Sequence, residues 1–499
     1  MKIYEILQKI QFGNPVAEYD TDLQNYFLRT NIFHQVVSGS AEVIAGDKGT
    51  GKTAIYQHLR FSYKQIPELY GMELIAGFNL SGEPLFRRLG DETKLTEGQY
   101  ITVWKMYFLS LAGNWLLKNF RGQKSTKSSR VESLLSKIGL LTVDDSAGTV
   151  FSRLMSWLRL NITPKAVGMD VSFNEFGIPV FTPKIELGKA ENQDEANAET
   201  ISHHDAFEVL NSALAERNVV LWIALDRLDE AFVGRPDIEA LALRALTRAF
   251  MDMDYSHIRL KLFVRNDLFR KITRDGFVNL THVHARRKEI IWNDEDLLAV
   301  LAHRLKNNPE IFRTVGINVN KVSDKQIFHI MFPSKVYQQG AGTWNWMLNA
   351  IRDGNGVKPP RNLIDLCVMA QEGQLRIETH KSREYAINQP LIEADALKNA
   401  AVQLSRQRIE DTLLAEYGED VKTAIKAFQN SKAEHNEESL ADLFGVEVAA
   451  ARLIATVLTG IGFLEKARDC YKVPALYRPG LNITQGKAFP NGINGHSRP

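Results

Sequence analysis

Gly46-Asp47-Lys48-Gly49-Thr50-Gly51-Lys52-Thr53 fills every fixed position of the pattern G-x-x-x-x-G-K-[ST]. In such a loop the glycines let backbone N–H groups curl around a phosphate at φ values that a Cβ penalises. Lys52 would bring a point charge to the β- and γ-phosphates of ATP, and the Thr53 hydroxyl would hold Mg2+. The helix that runs on through Ala54 aims its N-terminal dipole at the same phosphates. The expected nucleotide-binding set is therefore Gly46, Asp47, Lys48, Gly49, Thr50, Gly51, Lys52, Thr53 and Ala54.

A second feature has complementary chemistry. The apolar run Val219-Val220-Leu221-Trp222-Ile223-Ala224-Leu225 ends in Asp226. A carboxylate at the end of a buried strand reaches the carboxyl edge of a parallel sheet, where it would hold Mg2+ through water. Asp229 and Glu230 follow within a turn, and Glu230 is the expected base for an attacking water, with Asp229 beside it. The bland reading of these acids is a solvated helix start favoured by the helix dipole. Arg265, Asn266 and Asp267 close another apolar strand, so Arg265 or Asn266 would sense the γ-phosphate, or Asn266 and Asp267 would cap a helix. Arg361 opens a helix after Pro359-Pro360, a place the dipole disfavours for a cation, which suggests that it serves a phosphate.

These groups need a scaffold. Short apolar runs at 41–45, 73–78, 219–225 and 259–264 read as buried strands, and helical patterns at 53–64, 205–217 and 238–253 alternate with them. That alternation predicts an α/β fold, a P-loop nucleotide-binding core with a mostly parallel sheet. Residues 1–81 and 200–290 form the expected core. Residues 82–199 read as an insertion: helix at 96–120, a polar Ser/Lys-rich break at 122–130, helix at 150–160, and a β-hairpin at 167–187 turning at Asn174-Glu175-Phe176-Gly177. A helical lid is expected at 291–385, with helices at 294–306, 324–332, 343–352 and 361–372. Connecting helices follow at 386–430, including one from Pro390 to about Tyr417. Residues 431–480 have helix-turn-helix spacing around Gly445 and then a strand pair, and 481–499 read as a frayed tail.

The order of phosphate loop, strand with Asp-x-x-Asp-Glu, and strand with a polar end resembles the AAA+/STAND side of P-loop ATPases. Asp226-Arg227-Leu228-Asp229-Glu230 is similar to the D-G-L-D-E of NACHT-type proteins, with Arg227 where a small residue is usual. A family of bacterial P-loop ATPases of unassigned role resembles the chain more broadly. The matching residues are Phe12-Gly13 and Ala17-Glu18, the phosphate loop (which there commonly has Arg where Asp47 stands), Arg265-Asn266-Asp267-Leu268-Phe269, Pro360-Arg361-Asn362-Leu363-Ile364, and Tyr471-Lys472-Val473-Pro474. This resemblance implies an ATPase core, a lid bearing Arg361, a C-terminal winged helix, a bacterial origin and an association with phage defence. Oligomers of such ATPases often insert an arginine into the neighbour's site. Arg286 and Arg287 are candidates for that role, against the alternative of a solvated basic turn.

Composition narrows the partners. Sixty-one basic residues against 59 acidic ones leave a net charge of +2, so no dominant polyelectrolyte partner is signalled. Two cysteines exclude a disulfide framework or a four-thiolate zinc site. No apolar run is long enough to cross a membrane, so the expected compartment is the cytoplasm. The favoured reading is a Mg2+-dependent ATPase, a switch or motor coupling nucleotide state to oligomerisation or to a partner effector protein. The alternative is a nucleotide-gated DNA- or protein-binding module with negligible turnover, with DNA contacted through residues 438–477. The second helix of that unit offers only Arg452 as a cation, which favours a protein contact over DNA. A phosphotransferase is disfavoured, because no arginine-rich acceptor lid is legible.

Overall fold

The computed structural model describes residues 1–77, 95–142, 146, 149–150, 153–154, 169–173, 179–186, 200–228, 230, 236–273, 280–314 and 316–489. Strands in chain order are β1 (Val43–Gly46), β2 (Met72–Ala76), β3 (Met169–Phe173), β4 (Pro179–Glu186), β5 (Thr200–Ser202), β6 (Val220–Leu225), β7 (Ile258–Arg265), β8 (Arg287–Glu289), β9 (Lys432–His435), β10 (Glu465–Ala467), β11 (Cys470–Lys472) and β12 (Thr484–Lys487). The chain forms two compact units. One comprises Arg29–Gly46 and Lys52–Ile290, the other Met1–Leu28, Asp47–Gly51 and Ile291–Pro499.

The first unit is built on a five-stranded sheet ordered β2-β6-β7-β1-β8. Every neighbouring pair in it is parallel, so all five carboxyl ends share one edge. The fold is therefore α/β with a parallel central sheet. The expected strands form within one or two residues of their predicted limits, because continuous apolar runs suit a sheet buried on both faces. The helix Glu97–Asn119 forms where one was expected, at 96–120, and is packed onto the sheet. Its Tyr100, Trp104, Tyr107 and Phe108 are fully buried in one cluster with Leu221, Ile223 and Leu225 of β6. Trp104 Nε1 donates to the Ala242 carbonyl at 2.9 Å, and the Tyr107 hydroxyl donates to the Gly77 carbonyl. A helix that is apolar around its whole circumference needs burial on all sides. This segment is thus part of the core of the sheet unit.

The polar stretch at 122–130 is also not a simple break. Ser125 accepts from the Ser128 N–H at 3.1 Å and starts the helix Thr126–Lys137, as a serine N-cap does. The expected hairpin has its strands in β3 and β4, paired antiparallel from Met169↔Pro183 to Phe173↔Pro179. Its turn, 174–178, lies outside the described residues, as do most of the helix expected at 150–160 and the loop at 188–199. β5 pairs with β4 as a third strand that the sequence reading did not contain.

The second unit is mainly helical. The N-terminal helix Ile3–Lys9 buries Ile3, Ile6 and Leu7 in one cluster with Leu297, Leu363 and Leu397. Gln371 Nε2 donates to the Leu7 and Ile10 carbonyls at 2.5 and 2.7 Å. Residues 1–28 therefore group with 291–499, where the sequence reading had put them with the sheet. The Phe12-Gly13 pair has a structural reason: buried Arg304 donates to the Phe12 carbonyl at 2.7 Å and pairs with Asp20 at 2.9 Å.

The helix Pro360–His380 is longer than expected, and the one expected from Pro390 starts later, at Ala394. Leu391 and Ile392 instead donate to the Ile330 and Met331 carbonyls, which holds them extended. The helix Ala394–Arg408 runs into the π-helical segment Ile409–Leu414. At the C-terminus, Glu437–Phe444 and Val448–Gly460 flank Gly445 at φ 66°. The expected strand pair is β10–β11, and it extends into a four-stranded sheet ordered β10-β11-β9-β12. β12 corrects the frayed-tail expectation. It pairs with β9, and buried Leu481 and Ile483 anchor the chain just before it. Among the described residues no single helix is long and apolar enough to cross a membrane.

Candidate functional site

β1 delivers the chain to Gly46 at the sheet's carboxyl edge, and the helix Lys52–Ser62 leaves from the other end of the loop. Between them Gly49 and Gly51 take φ of 77° and 98°, the left-handed region that glycine enters without strain. Thr50 is buried, and its hydroxyl donates to the Asp47 carbonyl at 2.8 Å. Lys52 Nζ donates to the Gly46 carbonyl at 2.9 Å, so its ammonium is folded back over its own loop. Thr53 and Ala54 form the first turn beside it. A loop of this conformation, followed by a lysine and a hydroxyl, fits a nucleotide phosphate with its Mg2+.

The strand order explains how Asp226 is positioned. β7 lies between β1 and β6, and both Val43 and Leu225 register with Leu262. Asp226, the next residue, is therefore level with Ile44 of β1, two residues before Gly46, and heads for the same carboxyl edge. It is only 5% exposed. The Tyr56 hydroxyl, on the face of the helix one turn after Thr53, is pushed up to about 12, first by burial, with the Asp226 charge adding to the rise. The carboxylate is thus close enough to the helix of the phosphate loop for its charge to be felt there. Asp229 lies outside the described residues.

Arg227 has φ of 58°, a conformation that costs any residue with a Cβ. The similar D-G-L-D-E motif has a small residue at this position, and the backbone gives the physical reason. The Arg227 side chain forms an ion pair with Glu230, the expected base, with both side chains more than a third exposed. Arg265 ends β7 beside Gly46, its register partner. Its guanidinium pairs with Asp267 at 2.8 Å. Burial alone would raise the Asp267 carboxyl, but the Arg265 partner outweighs it and holds the group below its ordinary range. Buried Asn266 bridges Glu289 at 2.7 Å and Arg287 at 2.9 Å. The helix Asn266–Thr273 begins there. Arg286 ends the helix Leu280–Arg286 and reaches Glu42 at 3.3 Å. Arg287 starts β8, so the two arginines stand where a helix end joins an edge strand and not in a solvated turn, and both have partners within their own unit.

In the helical unit, Arg361 opens Pro360–His380, and its backbone N–H reaches the Gly49 carbonyl at 3.4 Å. A Cβ on Gly49 would come within 3.1 Å of Arg361 Cβ and 3.3 Å of Pro359 Cβ. Asp365 follows one turn later and makes a buried ion pair with Arg408. Burial raises the Asp365 carboxyl, and the charges of Arg408 and Arg361 oppose that rise. Two contacts and one charge effect at the loop apex had no sequence signal. Trp292 Nε1 donates to the Thr50 carbonyl at 2.8 Å, Lys48 pairs with Glu416, and the Asp47 charge adds to the burial that pushes the Asp353 carboxyl up to about 6. Each partner lies more than 240 positions away along the chain, where no local pattern points to it.

The fold and loop define an α/β P-loop nucleotide-binding class. No family model and no curated protein matches the chain. Among solved structures it is similar to the Aeropyrum pernix ORC1 protein in complex with DNA, at 14% identity and a TM-score of 0.35, covering 93% of this chain and 94% of that one. It is also similar to the Aeropyrum pernix ORC2 protein in ADPNP–ADP complexes, at 11% identity and a TM-score of 0.40, covering 93% and 97%. The class stands on the sheet order and the phosphate loop.

Proposed function

We propose that this protein binds ATP at Gly46–Thr53, hydrolyses it, and uses the nucleotide state to control an oligomer or a partner effector protein, as an AAA+/STAND-like switch. The observation that carries the reading is buried Asp226 at the shared carboxyl edge, its charge felt on the helix that carries Thr53. Thr53 and Asp226 would hold Mg2+, which neutralises charge on the phosphates during transfer. Lys52 leaves the Gly46 carbonyl to meet the phosphates. Glu230 orients and deprotonates the attacking water, and Asp229, its neighbour in the sequence, is the second carboxylate assigned to that role. Arg265 and Arg361 report the γ-phosphate to β7 and to the helix Pro360–His380. The C-terminal helix-turn-helix and hairpin read as a winged helix carrying the output.

The second reading, a nucleotide-gated module with negligible turnover, is favoured by one observation: Glu230 is held in an ion pair by Arg227. Kinetics on two variants separate the readings. Lys52→Ala should abolish ATP binding, and Glu230→Gln should retain binding and lose turnover by about a hundredfold or more. Normal turnover in Glu230→Gln removes Glu230 as the base, and absence of turnover in the wild type selects the second reading. Light scattering with and without ATP tests the switch, which fails if neither size nor partner binding responds.

A further inference from the structure

Among the described residues eleven large apolar side chains are exposed, and four of them, Val446, Val448, Leu453 and Val457, fall within twelve consecutive positions. All four lie on the second helix of the C-terminal unit or the turn before it. Leu453 is 71% exposed and Val457 50%. Their i, i+4 spacing puts them on one face, with exposed Ala449 a turn earlier. The helix is anchored by a different face, since Ala451, Ala455 and Leu458 are fully buried. The outer stripe is therefore not core turned outward, and clustered exposed apolar surface of this kind marks an interaction site.

Charge selects the occupant. Residues 437–477 contain six carboxylates against four Lys and Arg. Arg452, the helix's one cation, is held by Glu437 in a two-pronged pair of 2.9 and 2.5 Å. Lys472 is paired with Glu434 at 3.3 Å. Glu438, Asp442 and Glu447 are exposed around the turn that leads into the stripe. DNA and anionic lipid both require clustered cations where they meet a protein; here exposed Lys466 and Arg468 stand against exposed Glu438, Asp442, Glu447 and Asp469. An apolar stripe with an acidic rim is complementary to an amphipathic helix whose aliphatic positions are flanked by lysine or arginine.

We propose that the outer face of Val448–Gly460 docks such a basic amphipathic helix of a partner protein. The proposal rests on the switch reading only in supplying that switch with a partner, and its test needs no nucleotide. Fluorescence anisotropy on the full chain would use a synthetic helical peptide with leucines on one face and lysine flanks, and a glutamate-flanked counterpart. The lysine peptide should bind at least about tenfold more tightly. Leu453→Asp/Val457→Asp should lose that binding by about tenfold or more with an unchanged melting temperature, whereas Ile387→Asp, at an exposed apolar position elsewhere, should not. Asp442→Lys should shift preference toward the glutamate peptide. Equal affinity for the two peptides, or binding that survives the double aspartate variant, overturns the proposal. So does a short DNA duplex or a phosphatidylglycerol vesicle that binds the wild type and is lost in the double variant.

Discussion

Lys261 is a lysine inside a β-strand core, 1% exposed on β7. Its Nζ donates to the Val36 carbonyl at 3.1 Å and the Ala41 carbonyl at 2.7 Å, and sits 4.2 Å from the centre of the Trp222 ring. It thereby ties β7 to the segment that enters β1 and the phosphate loop. Burial pushes its ammonium down to about 7, Glu42 opposing and Arg259 adding to the fall. An unfolded lysine titrates near its ordinary value of about 10.4. Between these values the unfolded chain holds a proton that the folded chain has released, so stability must rise with pH through that window and level off above it. The slope approaches about 1.4 kcal/mol per pH unit. From pH 7.5 to 9.0 the gain from this one group is about 2 kcal/mol.

Lys261→Met keeps the volume and removes the titration. Urea unfolding followed by tryptophan fluorescence at pH 7.5, 8.25 and 9.0 should therefore show a wild-type stability that climbs relative to the variant by about 2 kcal/mol. Other groups titrate in both proteins and cancel in that difference. If the two proteins change in parallel across this range, Lys261 is not deprotonated by burial and the reasoning fails.

Three further outcomes follow from the same geometry. Gly49→Ala should weaken ATP binding by about tenfold or more, because the left-handed backbone costs alanine about 1–2 kcal/mol and the new methyl crowds Arg361 and Pro359; calorimetric titration giving an unchanged Kd would contradict it. Arg227→Gly relieves strain of about 1 kcal/mol while losing a half-exposed ion pair of about 0.2–1 kcal/mol. Its melting temperature should barely move, and steady-state ATP turnover should rise a few-fold as Glu230 is released; a fall in turnover would show that Arg227 assists the reaction. Arg408→Met, which strands buried Asp365, should cost about 3–5 kcal/mol, and Asp365→Leu/Arg408→Met should recover most of it. Chemical denaturation that finds the double variant no better than the single one would refute that pairing.

Local patterns were legible in the residues alone. The phosphate loop combines a fixed spacing with glycines whose freedom the turn requires, β1 and β6 are apolar runs and β7 is apolar at most positions, so the loop's turn and the sheet's strands could be read from the residues. The terminal polar residues Asp226 and Arg265 were legible for the same reason: a buried parallel strand must end in polar groups at its edge. The helix Glu97–Asn119 was legible as a helix, but its apolarity tells that it is buried and not what buries it. β8, β9 and β12 were missed because each is three or four residues long and is held by backbone hydrogen bonds to a distant strand. Their own residues are mostly polar and too few to read as a strand.

Tertiary structure alone decided the strand order that sets β7 between the loop strand and the carboxylate strand. It also decided that Arg227 adopts a left-handed backbone and holds Glu230, and that Lys48, Thr50 and Gly49 meet Glu416, Trp292 and Arg361. Sequence periodicity reports which face of an element is buried, a property of that element and solvent. Which partner buries it depends on contacts between residues hundreds of positions apart, and these exist only once the chain has folded.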